Sequence, residues 1–341
     1  VATRQTTATR LVSPPFPGRR RYDDLGATVH GQDPPPGLAQ ELPRLYSSLF
    51  ATMDWFLTHD DPGPLGAVVL DEPRQVVFFD REDGRSLRVL NKDFPIPPDA
   101  ARRVCLALFR ALPAARRVRL EVRWEPRLLG LPCREDFATD HLVVALPADL
   151  DAYHRSLGRS TRRNLRLYEN RLARDLPGLA TTVERPGRRS RALVELFIAW
   201  KRARFGGQGR QTYWERSPDL ADRFVRLLAR CGEAHVTRLD GQPLALSFAF
   251  PVGDSVCAQE TAFHPDYERY RLGFLAQYWV VCDALRRGAR EVDFLWGTTT
   301  YKERLGAQPR RAHSLSVFRH PADRLLTADE DAQRLARTAG E

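Results

Sequence analysis

Apolar positions along the 341-residue chain change spacing in blocks, and the blocks predict the elements. Over 42–57, Leu42, Leu45, Leu49, Met53 and Phe56 recur at helical spacing. Strand-like runs follow at 66–70, 75–79 and 86–90, with a turn at 82–84. A helix is predicted over 99–112, opened by Pro97-Pro98 and stopped by Pro113. Residues 117–124 and 140–146 read as strands. The longest helical stretch is 149–175, where Leu157, Thr161, Leu165, Tyr168, Leu172 and Leu176 form one stripe. Gly158 weakens it and marks a candidate start, with Ser156 or Ser160 as cap. Helices at 188–205 and 218–231 come next. Three strands, 234–239, 244–252 and 255–263, are joined at Asp240-Gly241 and Gly253-Asp254, which predicts an antiparallel meander. A helix over 273–287 and strands over 291–296 and 312–318 complete the second half. The halves run α-β-β-β-α-β-β and α-α-β-β-β-α-β-β. They share an order of elements without a sequence repeat.

Composition then narrows the class. Apolar residues make up 43%, enough for a substantial core. Residues 1–38, with PPFPGRRR and DPPPG, read as a poorly ordered Pro/Arg-rich arm, and 321–341 as a tail. No apolar run approaches the length of a membrane span, and no signal peptide opens the chain. Five cysteines without zinc-motif spacing, and histidines without HxH or HExxH, point to reduced thiols in a cytoplasmic protein that holds no metal.

Charge adds a partner. The net charge of +10 favours an anion, against an arginine-rich genome as the other explanation. Arg155, Arg159, Arg162, Arg163 and Arg166 fall largely off the apolar stripe of 149–175, and no acid lies between Ala152 and Tyr168. A solvated helix face usually mixes signs to gain i,i+4 pairs, so this face reads either as an anion track or as a solvated surface. Only three lysines occur: Lys92, Lys201 and Lys302. Lys302 follows the strand-like run 291–296 and a turn at Gly297, where a flexible ammonium can reach a ligand.

Three segments, DGQPLALSFAF, AFHPDYERYRLGFL and REVDFLWGTTTYKERLG, resemble GNAT acyltransferases, in particular the CelD-like acetyltransferases related to the FemABX aminoacyl transferases. The basic stretch RSLGRSTRRNLRLYENRL resembles them too. The likeness covers about 140–320; residues 40–140 match only in element order. It implies a two-lobed GNAT-like α/β (α+β) fold in a Fem-like tandem arrangement. A mixed, mostly antiparallel sheet would be flanked by helices, with an N-terminal lobe at 39–147 and a C-terminal domain at 148–320. It also implies strands that splay around a donor, and a helix whose N-terminal amides face a pyrophosphate. That helix opens at Gly273, so Gly273, Phe274, Arg269 and Arg271 are the expected donor-binding residues. The family signature Gln/Arg-x-x-Gly-x-Gly/Ala is only partly present: Tyr270-Arg271-Leu272-Gly273-Phe274-Leu275 keeps one glycine and puts Leu275 at a small-residue position.

By resemblance, Lys302 stabilises the oxyanion or holds a phosphate, Tyr301 donates a hydrogen bond or proton, and Glu260 is the general base. Trp296 and Asp293 fall on the acceptor side, and Arg159, Arg162, Arg163 and Arg166 on a substrate track. The expected activity is direct acyl transfer from acyl-CoA to an amine or hydroxyl of a small molecule, polysaccharide or peptide. Aminoacyl-tRNA as donor, and a silent anion-binding module, are the alternatives.

Overall fold

The computed structural model describes residues 18–325 except 32, 61, 63–64, 207–211, 213, 215–216 and 298–299. The strands are β1 (Arg20–Tyr22), β2 (Ala27–His30), β3 (Gly66–Leu70), β4 (Gln75–Arg81), β5 (Ser86–Val89), β6 (Arg117–Val122), β7 (Cys133–Ala145), β8 (Ala180–Glu184), β9 (Glu233–Leu239), β10 (Gln242–Val252), β11 (Ser255–Phe263), β12 (Glu291–Asp293) and β13 (Gln308–Phe318). The helices are α1 (Gly37–Tyr46), α2 (Pro98–Ala111), α3 (Leu150–Ser156), α4 (Arg159–Asp175), α5 (Ser190–Gly206), α6 (Pro218–Cys231), α7 (Leu272–Arg286) and α8 (Thr300–Arg304).

All thirteen strands form one sheet, in the order β1-β2-β3-β4-β5-β6-β13-β7-β12-β11-β10-β9-β8. Each half repeats one device: an antiparallel meander, a helical crossover, then a parallel strand. In the first half α2 carries the chain from β5 to its parallel partner β6; in the second, α7 carries it from β11 to β12. A crossover of this length is what a parallel pair requires. The structure is therefore a two-lobed, mostly antiparallel α/β fold. The last strand joins the halves, because β13 lies between β6 and β7 and runs antiparallel to both.

Two apolar cores lie on the sheet. One runs from the first half to Phe197, Phe224 and Phe248, under α5 and α6. The other lies beneath α3, α4 and α7, around Tyr153, Leu165, Leu172 and Val280.

Besides β8, which the sequence reading did not place, and β12, which ends at Asp293 and not at 296, four segments differ from that reading. The continuous helix expected over 42–57 is α1 followed by short turns, because Pro43 lies inside α1 and Ser47 takes a left-handed conformation at its end. Residues 149–175 are two helices broken at Leu157-Gly158; the Arg162 guanidinium donates to the carbonyls of Arg155 (3.0 Å) and Leu157 (2.9 Å) at the break. A helix end leaves such carbonyls without internal partners, and Arg162 supplies one.

The arm is corrected in part. Residues 20–30 hold β1 and β2 on the sheet edge, where Leu25, Ala27 and Val29 are buried and Arg110 pairs with Asp24. Residues 1–17, and 326–341 of the tail, lie outside the described residues. Strand β7 begins seven residues before its expected start at 140. Its first half carries no apolar alternation, and cross-strand polar pairs with β13 stand in for it: Glu135 with His313, Asp136 with Ser316, Asp140 with Arg311.

Candidate functional site

The parallel pair β11/β12 is in register only at Ser255–Glu291, Val256–Val292 and Cys257–Asp293. Beyond Cys257, β11 continues to Phe263 without β12 beside it. A bulge at Gln259, between the pairs Phe248–Glu260 and Ala249–Ala258, re-aims the strand at this point. The corresponding pair in the first half closes again, through a parallel bridge between Phe94 and Val122. The splay thus opens in the second half.

A cavity of about 570 Å³ lies between α4, α5, β11, the N-terminus of α7 and α8. Lys201, Arg204, Arg271 and Arg304 line it, against Glu268 as the lining acid, with Thr161, Asn164 and Tyr168 from α4. Four cations and one carboxylate around a helix N-terminus suit an anion. Arg271 holds a left-handed conformation (φ 57°) at the start of α7. Gly273 answers a packing demand: a Cβ there would lie 2.8 Å from the Phe263 ring.

Of the residues expected from sequence, Gly273, Phe274, Arg271 and Tyr301 come together on this cavity. Phe274 meets Tyr168 edge-on at 6.3 Å. Arg269 is turned aside, donating to the Tyr270 hydroxyl at 2.8 Å. Arg159, Arg163 and Arg166 are exposed on α4 beside the cavity and, among the described residues, have no ion-pair partner. Arg162 is occupied by the helix break.

Lys302 is buried beneath the splay. Its ammonium donates to the carbonyls of Phe294 (2.8 Å), Trp296 (2.8 Å) and Gly297 (3.1 Å). Burial pushes its pKa below the usual lysine value, while Asp293, Glu260 and Cys257 pull it back up. Glu260, also buried, is not among the cavity-lining residues; its carboxylate lies 3.2 Å from the Lys201 ammonium.

The loop that Lys302 holds begins at Asp293, which belongs to a buried charged cluster at the seam of the two halves. Asp293 accepts from His141 (3.0 Å), Arg310 (2.9 Å) and the Leu295 amide (2.7 Å). Asp93 accepts from Arg310 (3.0 Å) and Arg123 (2.8 Å). Asp93, His141 and Asp293 approach as metal ligands would, but the Arg310 guanidinium bridges both carboxylates and supplies the compensating charge. Burial alone would raise Asp293; the hydrogen bond from His141 and the nearby charges hold it below the usual aspartate range. Burial lowers His141, yet Asp293 and Asp93 outweigh it and raise that pKa. Trp296 leaves this loop exposed, its ring 5.7 Å from Phe50 and 5.6 Å from His141.

Sequence reading missed Lys201, Arg204 and Arg304. The scarcity of lysine that singled out Lys302 applies equally to Lys201, in the segment WKRARF.

Residues 159–303 match the family model described as the acetyltransferase (GNAT) domain. No curated protein matches the chain. Among solved structures, FemX is similar at 12% identity, over 81% of this chain and 95% of its own, with a TM-score of 0.62. The C-terminal domain of a putative lysylphosphatidylglycerol synthetase from Agrobacterium fabrum is similar at 16% identity (87% and 94% covered, TM-score 0.52). L-PGS from Bacillus licheniformis is similar at 13% (85% and 93%, TM-score 0.52). These likenesses are of fold. The splayed pair and the crossover helix lie largely within the stretch 159–303 that matches the acetyltransferase (GNAT) domain model, and the chain as a whole shares the two-lobed fold of FemX.

Proposed function

We propose that the chain transfers an acyl group from acyl-CoA to an amine or hydroxyl by direct attack at the mouth of the splay. The observation that carries this reading is the cavity itself: it joins the start of α7 to four cations and to the open side of β11. Arg271, Arg204 and Arg304 hold the donor's phosphates, and Phe274 with Gly273 forms the wall along which its arm runs. The acyl carbonyl lies toward Tyr301 and the splay. The acceptor's lone pair attacks the carbonyl carbon, the C=O electrons move to oxygen, and collapse expels the thiolate. Tyr301 protonates the thiolate and regains its proton from the attacking atom, so the acceptor's proton ends on sulfur. Trp296 faces the acceptor, and Asp293 and Lys302 fix the loop that carries it.

Calorimetric titration with coenzyme A tests the reading. Binding is expected, and Arg204→Gln with Arg304→Gln should weaken it about tenfold or more. Absence of binding would overturn the CoA reading.

A second donor, aminoacyl-tRNA, is favoured by one observation. Arg159, Arg163 and Arg166 recur at i, i+4 and i+7 on the helix that also lines the cavity. A polyanion whose end enters the cavity would lie along that row; coenzyme A, with its phosphates at one locus, would leave it unused. Binding of either anion without any acyl transfer would point instead to a silent anion-binding module.

A further inference from the structure

We infer that Lys201, on α5, is the cation that stabilises the reacting carbonyl, and that Glu260 acts through it as a positioning residue. This rests on the acyl-transfer reading above.

Of the two lysines at the splay, one is committed. Lys302 has three ammonium protons and three carbonyl acceptors, so it offers a ligand no donor without releasing its loop. Lys201 is arranged differently. Its ammonium lies 3.2 Å from Glu260 Oε2, and among the described residues that is its one ion pair. The rings of Phe197 and Phe205 lie 5.3 and 6.0 Å from it and present their faces. The side chain is 21% exposed and lines the same cavity as Tyr301, Gly273 and Arg271. The ammonium is thus paired with Glu260 while its side chain still lines the cavity. Glu260 is buried and pairs with Lys201 without itself lining the cavity. It is fixed just past the Gln259 bulge, so the carboxylate is held by a strand and the ammonium by the carboxylate.

That arrangement suits a charge that appears only during reaction. As the acceptor attacks, the carbonyl oxygen becomes an oxyanion within reach of a pre-placed ammonium, which donates a hydrogen bond and keeps its proton. Collapse returns the electron pair to the carbonyl and expels the leaving group, protonated through Tyr301. A donor already in place needs no reorganisation at that moment, which is why such groups act mainly on turnover.

The test uses acetyl-CoA as donor and hydroxylamine as acceptor, followed by thiol release above the protein-free rate, with coenzyme A binding measured separately. Lys201→Met should lower turnover by about 10²–10³-fold and leave coenzyme A affinity within about threefold. Lys201→Arg should recover little, since a planar fork does not reproduce a compact ammonium. Because Lys201→Met removes an ion-pair partner from a buried carboxylate, the double variant Lys201→Met/Glu260→Gln removes both charges and keeps the test valid if the single variant unfolds. It should be as slow as Lys201→Met, whereas Glu260→Gln alone should lose less. If acetyl-CoA is not turned over by the wild type, the same series is run on an aminoacyl-tRNA ester. Turnover of either donor that survives Lys201→Met would overturn the role of Lys201 and leave acyl transfer standing. A wild type that turns over neither donor would overturn both.

Discussion

At Lys302 three protons meet three carbonyl oxygens, so removing the side chain strands three acceptors inside the protein. Each buried acceptor left without a partner costs about 1–3 kcal/mol, partly relieved by water at the exposed Gly297 end. Lys302→Met should therefore lower unfolding free energy by about 2–4 kcal/mol in urea titration. An unchanged midpoint would mean that the ammonium does not hold the loop. The seam cluster makes a second prediction, from pH. A raised His141 pKa stabilises the fold fully below its ordinary value of 6.5 and loses that contribution as pH rises through the raised value. A lowered Asp293 pKa stabilises above its ordinary 3.8 and is lost as pH falls through the lowered value. Melting temperature should hence fall as pH rises above His141's ordinary 6.5 and through its raised value, and His141→Gln should flatten that fall. Equal slopes in both proteins would remove His141 as its source. Sequence patterns reached the rim of the site better than its floor. Arg271, Gly273, Phe274 and Tyr301 sit in contiguous motifs, so linear reading found them together. Lys201 reaches the same cavity from a helix that begins about a hundred residues before α8 ends, a juxtaposition that only the folded sheet creates.

Helix α4 carries two roles on adjacent faces. Thr161, Asn164 and Tyr168 look into the cavity, while Arg159, Arg163 and Arg166 look past it. Should an RNA backbone follow that row, each phosphate contact adds roughly 0.7–0.9 to the slope of log affinity against log salt. Arg163→Gln with Arg166→Gln should then reduce the slope by about two, with little change in stability. A slope for charged tRNA that is shallow, or indifferent to these changes, would end the polyanion reading. Element types were legible wherever one face is apolar. The 255–263 strand and the 218–231 helix agree with β11 and α6 to the residue. What escaped were elements held by polar partners: β1 and β8 at the two sheet edges, and the first half of β7, whose charges read as loop until β13 lies beside them. The kink at Gly158 was legible because glycine weakens a helix wherever it occurs. Its clamp by Arg162 was not, since the acceptors are backbone atoms with no signature in the chain.

The two halves share one sheet through β13, which pairs with β6 on one side and β7 on the other. A polypeptide ending after Gly306 would lack this strand and expose two edges at the seam, together with Asp93 and Asp293 deprived of Arg310. It should fail to fold cooperatively. If instead it melts in one sharp transition near the full-length midpoint, the strand is dispensable. The order of synthesis gives this topology a consequence in time. During translation β6 and β7 emerge long before β13, and at about 5–20 residues per second the gap of well over a hundred residues leaves their facing edges without β13 for about ten seconds or more. Through that interval the nascent chain carries its own unfilled slot, open to any other extended segment. The strand that closes it is the last of the described strands to leave the ribosome.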